Sequence, residues 1–417
     1  MSQSASTIIE TLQLSFNGEP LPNNWRLTSL DEVCEFLDWR RVPVNNAERA
    51  KRIAGKDLAE LYPYYGANGQ TGWIDDYLFD ESLILLAEDG GNFGSKDKPI
   101  AYAVTGRYWV NNHAHVLRPK ENIIDFDFCL HALSIRPDVA EMVSGSTRAK
   151  LNQEVAAKLS IPLPPLDEQK RIAAILNEQM AAVARARAAA EAQLKAAKDL
   201  PAAYLREVFD SPEAEQWARE KLGNVSVISG GIQKTPERKP KNFHRPYLTV
   251  RNVQRGYLDL SELERFEITE SELERLRLMP GDILIVEGNG SLDHIGRNAL
   301  FKGEVTDCIH QNHIIRVRLD GQRFLPEFVS RFLNSNSGKS QMIQKAMTTS
   351  GLYTLSTGKV AALEIPMPSM TRQREIVEIL DEKIPTAENA CEVIKDQLET
   401  ISTLPAALLR QAFTGKL

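Results

Sequence analysis

The side chains that could carry chemistry in this chain are numerous, but they are not arranged for it. Seven histidines and 56 acidic residues could hold a metal or move a proton, yet none recurs at a spacing that either task requires. HExxH, GxSxG and GxGxxG are all absent. Gly338-Lys339-Ser340 is the tail of a phosphate-binding loop, but Leu333 stands where the first glycine of that cradle belongs. An adenine aminomethyltransferase would show Asn/Asp-Pro-Pro-aromatic, whereas Pro164-Pro165 is flanked by Leu163 and Leu166. Cys34, Cys129, Cys308 and Cys391 are scattered, with no CxxC pair, which argues against a zinc ribbon or a disulfide framework and fits a reducing compartment. The expectation is a chain with no catalytic residues, no metal and no cofactor of its own.

The remaining polar clusters are suited to recognition. Tyr64, Tyr65, Asn68 and Gln70 lie in a glycine-bearing loop that joins aromatic and amide groups. Asn and Gln pair with adenine in the major groove, Arg pairs with guanine, and glycine lets backbone approach phosphate. By the same rule Arg251, Asn252, Gln254 and Arg255, following an apolar run, form a second cluster. Asn289, Ser291, Arg297 and Asn298 form a third. Arg238, Lys239 and Lys241 are the densest basic run and read as phosphate contacts. Each has a plainer reading: a packed tyrosine beside a tight turn, or a solvated loop. The formal net charge of −6 weighs mildly against nucleic acid, because phosphate neutralisation usually leaves a basic footprint.

These clusters sit on a duplicated frame. IPLPPLDEQKRIAAIL (161–176) and IPMPSMTRQREIVEIL (365–380) agree at seven of sixteen positions at an offset of 204. LPAAYLREVFD (200–210) and LPAALLRQAFT (404–414) agree at seven of eleven at the same offset. A period this long is no solenoid; it means two similar halves. Each half opens on W-x4-L-x2-V (Trp25, Leu30, Val33; Trp217, Leu222, Val225) and continues into LILLAEDGG or DILIVEGNG. Asn112-His113 matches Asn312-His313, Glu88 matches Glu287, and Phe128 and Leu133 match Phe328 and Leu333. Residues present in both halves cannot carry different base readouts, so the Asn-His pairs read as structure or backbone positioning, and Glu88 and Glu287 as turn-fixing acceptors with a catalytic carboxylate as the alternative. The offset grows from 192 to 204, so the insertions fall in the globular parts, where loops vary.

A long helix follows each proline-rich segment, with Asp167 and Thr371 as expected N-caps. Leu380, Ile384, Ala387, Cys391, Ile394, Leu398 and Ile401 are spaced 4-3-4-3-4-3. Leu176, Met180, Val183, Arg187, Ala190, Leu194 and Ala197 keep the same register, with Arg187 the one polar intruder. Pro385 should kink the second helix or mark its start. Two copies within one chain predict an antiparallel pair about a pseudo-two-fold axis. Each helix should run about 30–34 residues, or about 45–50 Å, somewhat more than the ~34–36 Å of one duplex turn.

Taken together, the doubled IPLPPLDEQKRI and IPMPSMTRQREI segments, the heptad helices and the closing LPAALLRQAFTGKL resemble the specificity subunit of a type I restriction–modification system. The resemblance runs from Trp25 to the C-terminus. It implies an α+β fold with two similar target-recognition domains, each followed by a long helix, the helices pairing as an antiparallel coiled coil. The expected divisions are 1–160 and 211–364 for the recognition domains and 161–210 and 365–417 for the spacer helices. It further implies double-stranded DNA as ligand, read as a split asymmetric sequence, with two methylation subunits and then restriction subunits as partners. Gln169, Arg171, Gln373 and Arg374, on the first helical turns, are the expected docking residues. PYYGANGQTGWIDDYLFDESLILLAEDGGN (63–92) resembles one recognition subtype, while 247–260 with 280–300 resembles another, so the halves should read different bases. The competing reading is a two-headed coiled-coil scaffold for other proteins. No 18-residue apolar stretch and no basic-apolar leader is present, so the expectation is a cytoplasmic protein that does not cross a membrane.

Overall fold

The computed structural model describes residues 15–16, 19–22, 24–145, 148–288, 294–346 and 353–417. The chain divides into two compact units, residues 1–191 with 395–417, and residues 192–394. Both units take the first half of one long helix and the last part of the other.

In the first unit, one sheet has the order Cys34–Phe36, Ala114–Pro119, Leu83–Ala87, Ala101–Val104. Leu83–Ala87 is buried at every position, because both faces of this inner strand are covered, so it reads as an unbroken apolar run. A second sheet has the order Gly69–Ile74, Tyr62–Gly66, Arg107–Val110, Phe79–Asp80, and its two middle strands run parallel. The short pair Arg26–Ser29 and Ser160–Leu163 closes the base of the unit.

The second unit repeats this plan. Ser226–Gly230, Ile314–Leu319, Asp282–Val286 and Asn298–Phe301 form its main sheet, with Asp282–Val286 again wholly buried. Glu264–Glu267, His244–Leu248 and Ile309–His310 form the smaller sheet, its last two strands again parallel. Arg219–Lys221 pairs with Glu364–Pro366 at the base.

The long helices run Leu166–Phe209 and Met370–Phe413, 44 residues each. At 1.5 Å per residue each spans about 66 Å, longer than the spacing of apolar residues predicts. The difference arises because the chain stays helical through Pro201, Pro385 and Pro405, where packing outweighs one lost backbone bond. Pro385 therefore does not start the second helix. Both helices begin one residue before the expected caps: Asp167 and Thr371 are already helical, and Ser369 Oγ accepts from Arg372 N at 3.2 Å. The seam positions are buried or half-buried, while Arg187 turns outward and pairs with Glu191 at 2.9 Å.

Within each unit the beginning of one helix lies beside the end of the other, which makes the pairing antiparallel. In the first unit Ile172 and Leu176 share a core with Leu409, Ala412 and Phe413. In the second, Ile376, Leu380 and Ile384 share a core with Leu205 and Phe209. The same aromatic triad marks both cores. Phe128 meets Trp25 at 6.4 Å and Phe413 at 5.5 Å; Phe328 meets Trp217 at 6.4 Å and Phe209 at 5.5 Å. The phenylalanine near the end of each repeat's helix thus completes the core around the other repeat's tryptophan.

Candidate nucleic-acid interface

The duplicated glutamines are bolts within the fold. Gln169 is 1% exposed; its Oε1 accepts from Asp125 N at 2.8 Å and its Nε2 donates to the carbonyls of Pro164 (2.8 Å) and Ile123 (3.1 Å). Gln373 is fully buried and makes the same set, with Leu325 N (2.9 Å), Arg323 O (2.9 Å) and Pro368 O (3.1 Å). Each ties a helix start to the loop that leads into the Phe128 or Phe328 helix. The expectation that they dock a partner is therefore corrected, because neither amide offers an atom outward. Arg171 and Arg374 remain at the surface. Arg171 is clamped by Glu168 at 2.8 Å and donates to Leu417 O at 2.7 Å.

The shared His–acid pair is also part of the frame. His113 Nδ1 lies 3.0 Å from Asp89 and His313 Nδ1 lies 3.0 Å from Glu287, while Glu88 N and Glu287 N donate to the histidine carbonyls, each at 2.9 Å. In the first unit Asp38, Glu88 and His115 bring their ligand atoms within 4.8 Å of one another. That cluster already holds its counter-charges. Arg41 donates to Glu88 at 2.7 Å and pairs with Asp38 at 3.1 Å, and Lys150 lies 3.0 Å from Glu88. The second unit has Ile315 in the strand position of His115, so this ionic network is not a shared device.

Of the four residues expected in the first unit's loop, Tyr64 is corrected. It is 4% exposed, its hydroxyl donates to Val44 O at 3.1 Å, and burial raises its pKa. Tyr65 is half-buried, edge-on to Tyr108 at 5.8 Å. Asn68 and Gln70 are exposed at the hairpin tip, where each amide nitrogen donates to one carbonyl, Gly90 O (3.0 Å) and Gly72 O (3.1 Å).

In the second unit Asn252 and Asn298 are corrected as base contacts. Asn252 is 5% exposed and uses its whole amide internally, accepting from Thr249 N and Oγ1 and donating to Asp259 O and Glu262 O, each at 2.8–2.9 Å. Asn298 is fully buried against Ser330 and Asn334. Arg297 braces the loop from below through Val250 O (2.9 Å) and Gln254 Oε1 (3.3 Å). Burial lowers its pKa. Gln254 is half-buried and also donates to Arg251 O at 2.7 Å. These braces support a tip formed by Arg251, exposed at 71%, with Tyr257 at 60%, while Arg255 reaches Asn334 at 3.4 Å.

Arg238 is locked onto Glu272 at 2.9 Å, an ion pair that holds Glu272 down at about 2. Lys239 and Lys241 are exposed, and the Glu267 carboxylate collects the backbone N–H groups of Lys241, Asn242 and Phe243 beneath them. Asn289 and Ser291 lie outside the described residues.

The sequence reading missed a larger basic segment. Residues 40–56 carry Arg40, Arg41, Arg49, Lys51, Arg52 and Lys56 against Glu48 alone. The helix Asn46–Ile53 has no buried residue and is capped by Asn45, whose side chain accepts from Glu48 N at 2.9 Å. Arg52 and Lys56 converge on Asp75 at 2.6 and 2.8 Å, which fastens the helix to the sheet. Arg49 has no carboxylate partner among the described residues and lies over the Tyr64 ring at 4.6 Å. Its signal in the sequence is cations at helical spacing, 49, 52 and 56, which a search for contiguous runs passes over.

The comparisons with known proteins agree on one family. Residues 22–189 match the model of the type I restriction modification DNA specificity domain. The EcoKI specificity subunit of Escherichia coli is 27% identical over 426 residues, covering 95% of this chain and 90% of the relative. A protein of Haemophilus influenzae named as a putative type I specificity subunit is 34% identical over 148 residues, only 36% of this chain and 35% of its own length. A chain solved as part of a type I R-M system shares the fold over 95% of this chain and 99% of its own, with a TM-score of 0.66 at 17% identity. The doubled frame, with buried bolts that repeat and loops that diverge, lies on a fold shared with that solved chain, and along nearly its whole length the sequence is similar to a type I restriction–modification specificity subunit.

Proposed function

We propose that this chain is the DNA-reading subunit of a type I restriction–modification complex. Each unit takes one half of a split, asymmetric duplex sequence. The frame around the helix starts, with Arg171 and Arg374 at its surface, docks two methylation subunits, to which restriction subunits add. The chain supplies recognition and assembly, its partners supply the chemistry, and the complex works on host DNA in the cytoplasm. Among the described residues no helix is long and apolar enough to cross a membrane.

One observation carries this reading. The two units share their bolts, aromatic triads and sheet order, whereas the surface cations and amides beside the smaller sheet differ between them. A shared frame with unlike contact surfaces suits a reader of two different half-sites, because backbone contacts position while base contacts specify.

The test is to purify the chain with its methylation partner and challenge it with random-sequence duplexes. Methylation should concentrate on one bipartite motif with a fixed, unread spacer. Methylation with no sequence preference, or of a continuous motif, would overturn the reading.

A further inference from the structure

Each unit has a recess beside its smaller sheet, beneath the segment that precedes the sheet's parallel-paired strand. In the first unit it opens beside the parallel-paired strand Tyr62–Gly66 and its antiparallel neighbour Gly69–Ile74, under the helix Asn46–Ile53, with a volume of about 660 Å3. In the second, a recess of about 560 Å3 lies against Glu264, Arg265 and Phe266 of the strand that pairs antiparallel with His244–Leu248, under the segment 234–240. An arginine lies over an aromatic ring in each: Arg49 over Tyr64 at 4.6 Å, Arg238 over Phe266 at 5.9 Å.

The linings of the two recesses differ. The first recess sets Arg49 among the side chains of Asn46, Asn111 and Asn112, with no acidic residue. The second holds Lys234, Arg238, Lys239 and Arg265 against one carboxylate, Glu264. Identical chemistry in both recesses would indicate a backbone contact common to both halves; unlike chemistry indicates selection.

The first recess is shaped around its arginine. A Cβ at Gly72 would fall 2.7 Å from Arg49 Nη1, and one at Gly66 would fall 2.9 Å from Asn111 Nδ2. The glycines of this hairpin therefore give clearance to the side chains that line the recess. Arg49 is held in direction by the Tyr64 ring and by two long contacts, to Thr71 O (3.4 Å) and Asn46 Oδ1 (3.3 Å), which leave most of its donors unspent. A phosphate needs only positive charge. A planar guanidinium of fixed direction, with amides beside it, matches the O6 and N7 acceptors of a guanine edge with an adenine edge adjacent.

We propose that these two recesses are the base-reading seats of the two units, and that Arg49 reads a guanine of the half-site taken by the first unit. The proposal rests on the DNA-reading function above and assigns it to named residues.

The experiment is methylome sequencing of hosts that express the full complex with Arg49→Ala, Arg49→Lys, Asn46→Ala or Arg265→Ala. The first three should relax the motif within one half only, with discrimination at an Arg49-read guanine falling about ten-fold or more. Arg265→Ala should alter only the other half. Arg49→Lys keeps the charge and loses the planar fork, and Asn46 is exposed, so these two test the proposal even where Arg49→Ala fails to fold. An unchanged motif in Arg49→Lys and Asn46→Ala would overturn it. So would a uniform fall in methylation at every site without relaxation, which would make Arg49 a phosphate contact. Absence of any bipartite motif with the unaltered chain would instead refute the parent function.

Discussion

Amide side chains occur here in two physical settings, and the setting decides what each can do. Gln169, Gln373, Asn252 and Asn298 are buried and spend their donors and acceptors on the fold. Asn68, Gln70 and Asn112 lie at the surface beside the first unit's hairpin. Removing a buried amide strands its backbone partners, at about 1–3 kcal/mol. Gln169→Ala should therefore lower the unfolding free energy by that order in a denaturant titration, whereas Asn68→Ala should change it by under about 0.5 kcal/mol. Equal effects would mean that burial does not separate the two groups. Sequence alone did not make this division, because an amide in the first turn of a helix looks exposed until the loop at 123–125 folds over it. Recurrence of Gln169 at Gln373 did carry the message, since a residue kept in both halves serves what the halves share. His310 gives a second test. Burial first, and then the charge of Arg316, push its pKa down to about 4. A depressed value means stability present above the unfolded pKa of about 6.5 and lost as pH falls toward 4, up to about 3 kcal/mol for full titration. The melting temperature of the wild type should fall between pH 6.5 and 4 more steeply than that of His310→Leu; parallel slopes would contradict this.

Among the elements, the two long helices do more than join the units. Phe413 and Phe209 each insert the far end of a helix into a core built mostly by the other repeat. Truncating a buried phenylalanine costs about 3–5 kcal/mol. Phe413→Ala should therefore raise hydrogen exchange around Trp25 and Phe128 and leave that around Trp217 and Phe328 unchanged, while Phe209→Ala should do the reverse. Exchange that spreads equally over both units in either variant would contradict the division into two cores. The heptad seam was legible in sequence because its 4-3 spacing survives even the intrusion of Arg187. Helix length was underestimated because the 4-3 spacing counts only the seam, whereas the helices continue through Pro201 and Pro405 to the phenylalanines that enter the cores; an apolar face that must be buried can carry a helix through a proline. LILLA is buried as an unbroken apolar strand, whereas DILIV buries Asp282 as well, which Arg318 holds at 2.7 Å. Their neighbours, and hence the recesses beside the smaller sheets, depend on long-range pairing that no local pattern encodes.

The whole molecule combines a net charge of −6 with local concentrations of cations at 40–56 and 234–245. Such a surface does not hold duplex DNA by bulk electrostatics. On the proposed function, specificity would come from few, well-placed contacts, with partner subunits adding phosphate neutralisation. If the paired helices set the distance between half-sites, adding one heptad to both keeps their seam in register and lengthens each by about 10 Å, or about three base pairs. Methylation by that variant should move to the same two half-sites with a spacer about three base pairs wider. An unchanged spacer would remove the helices from that task. The central claim, that one chain with two unlike units selects a split target, is tested most directly by sequencing the methylome of a host with and without this chain. The account predicts one bipartite, asymmetric motif whose modification disappears with the chain. A methylome that does not change, or one that loses a continuous motif, would contradict it.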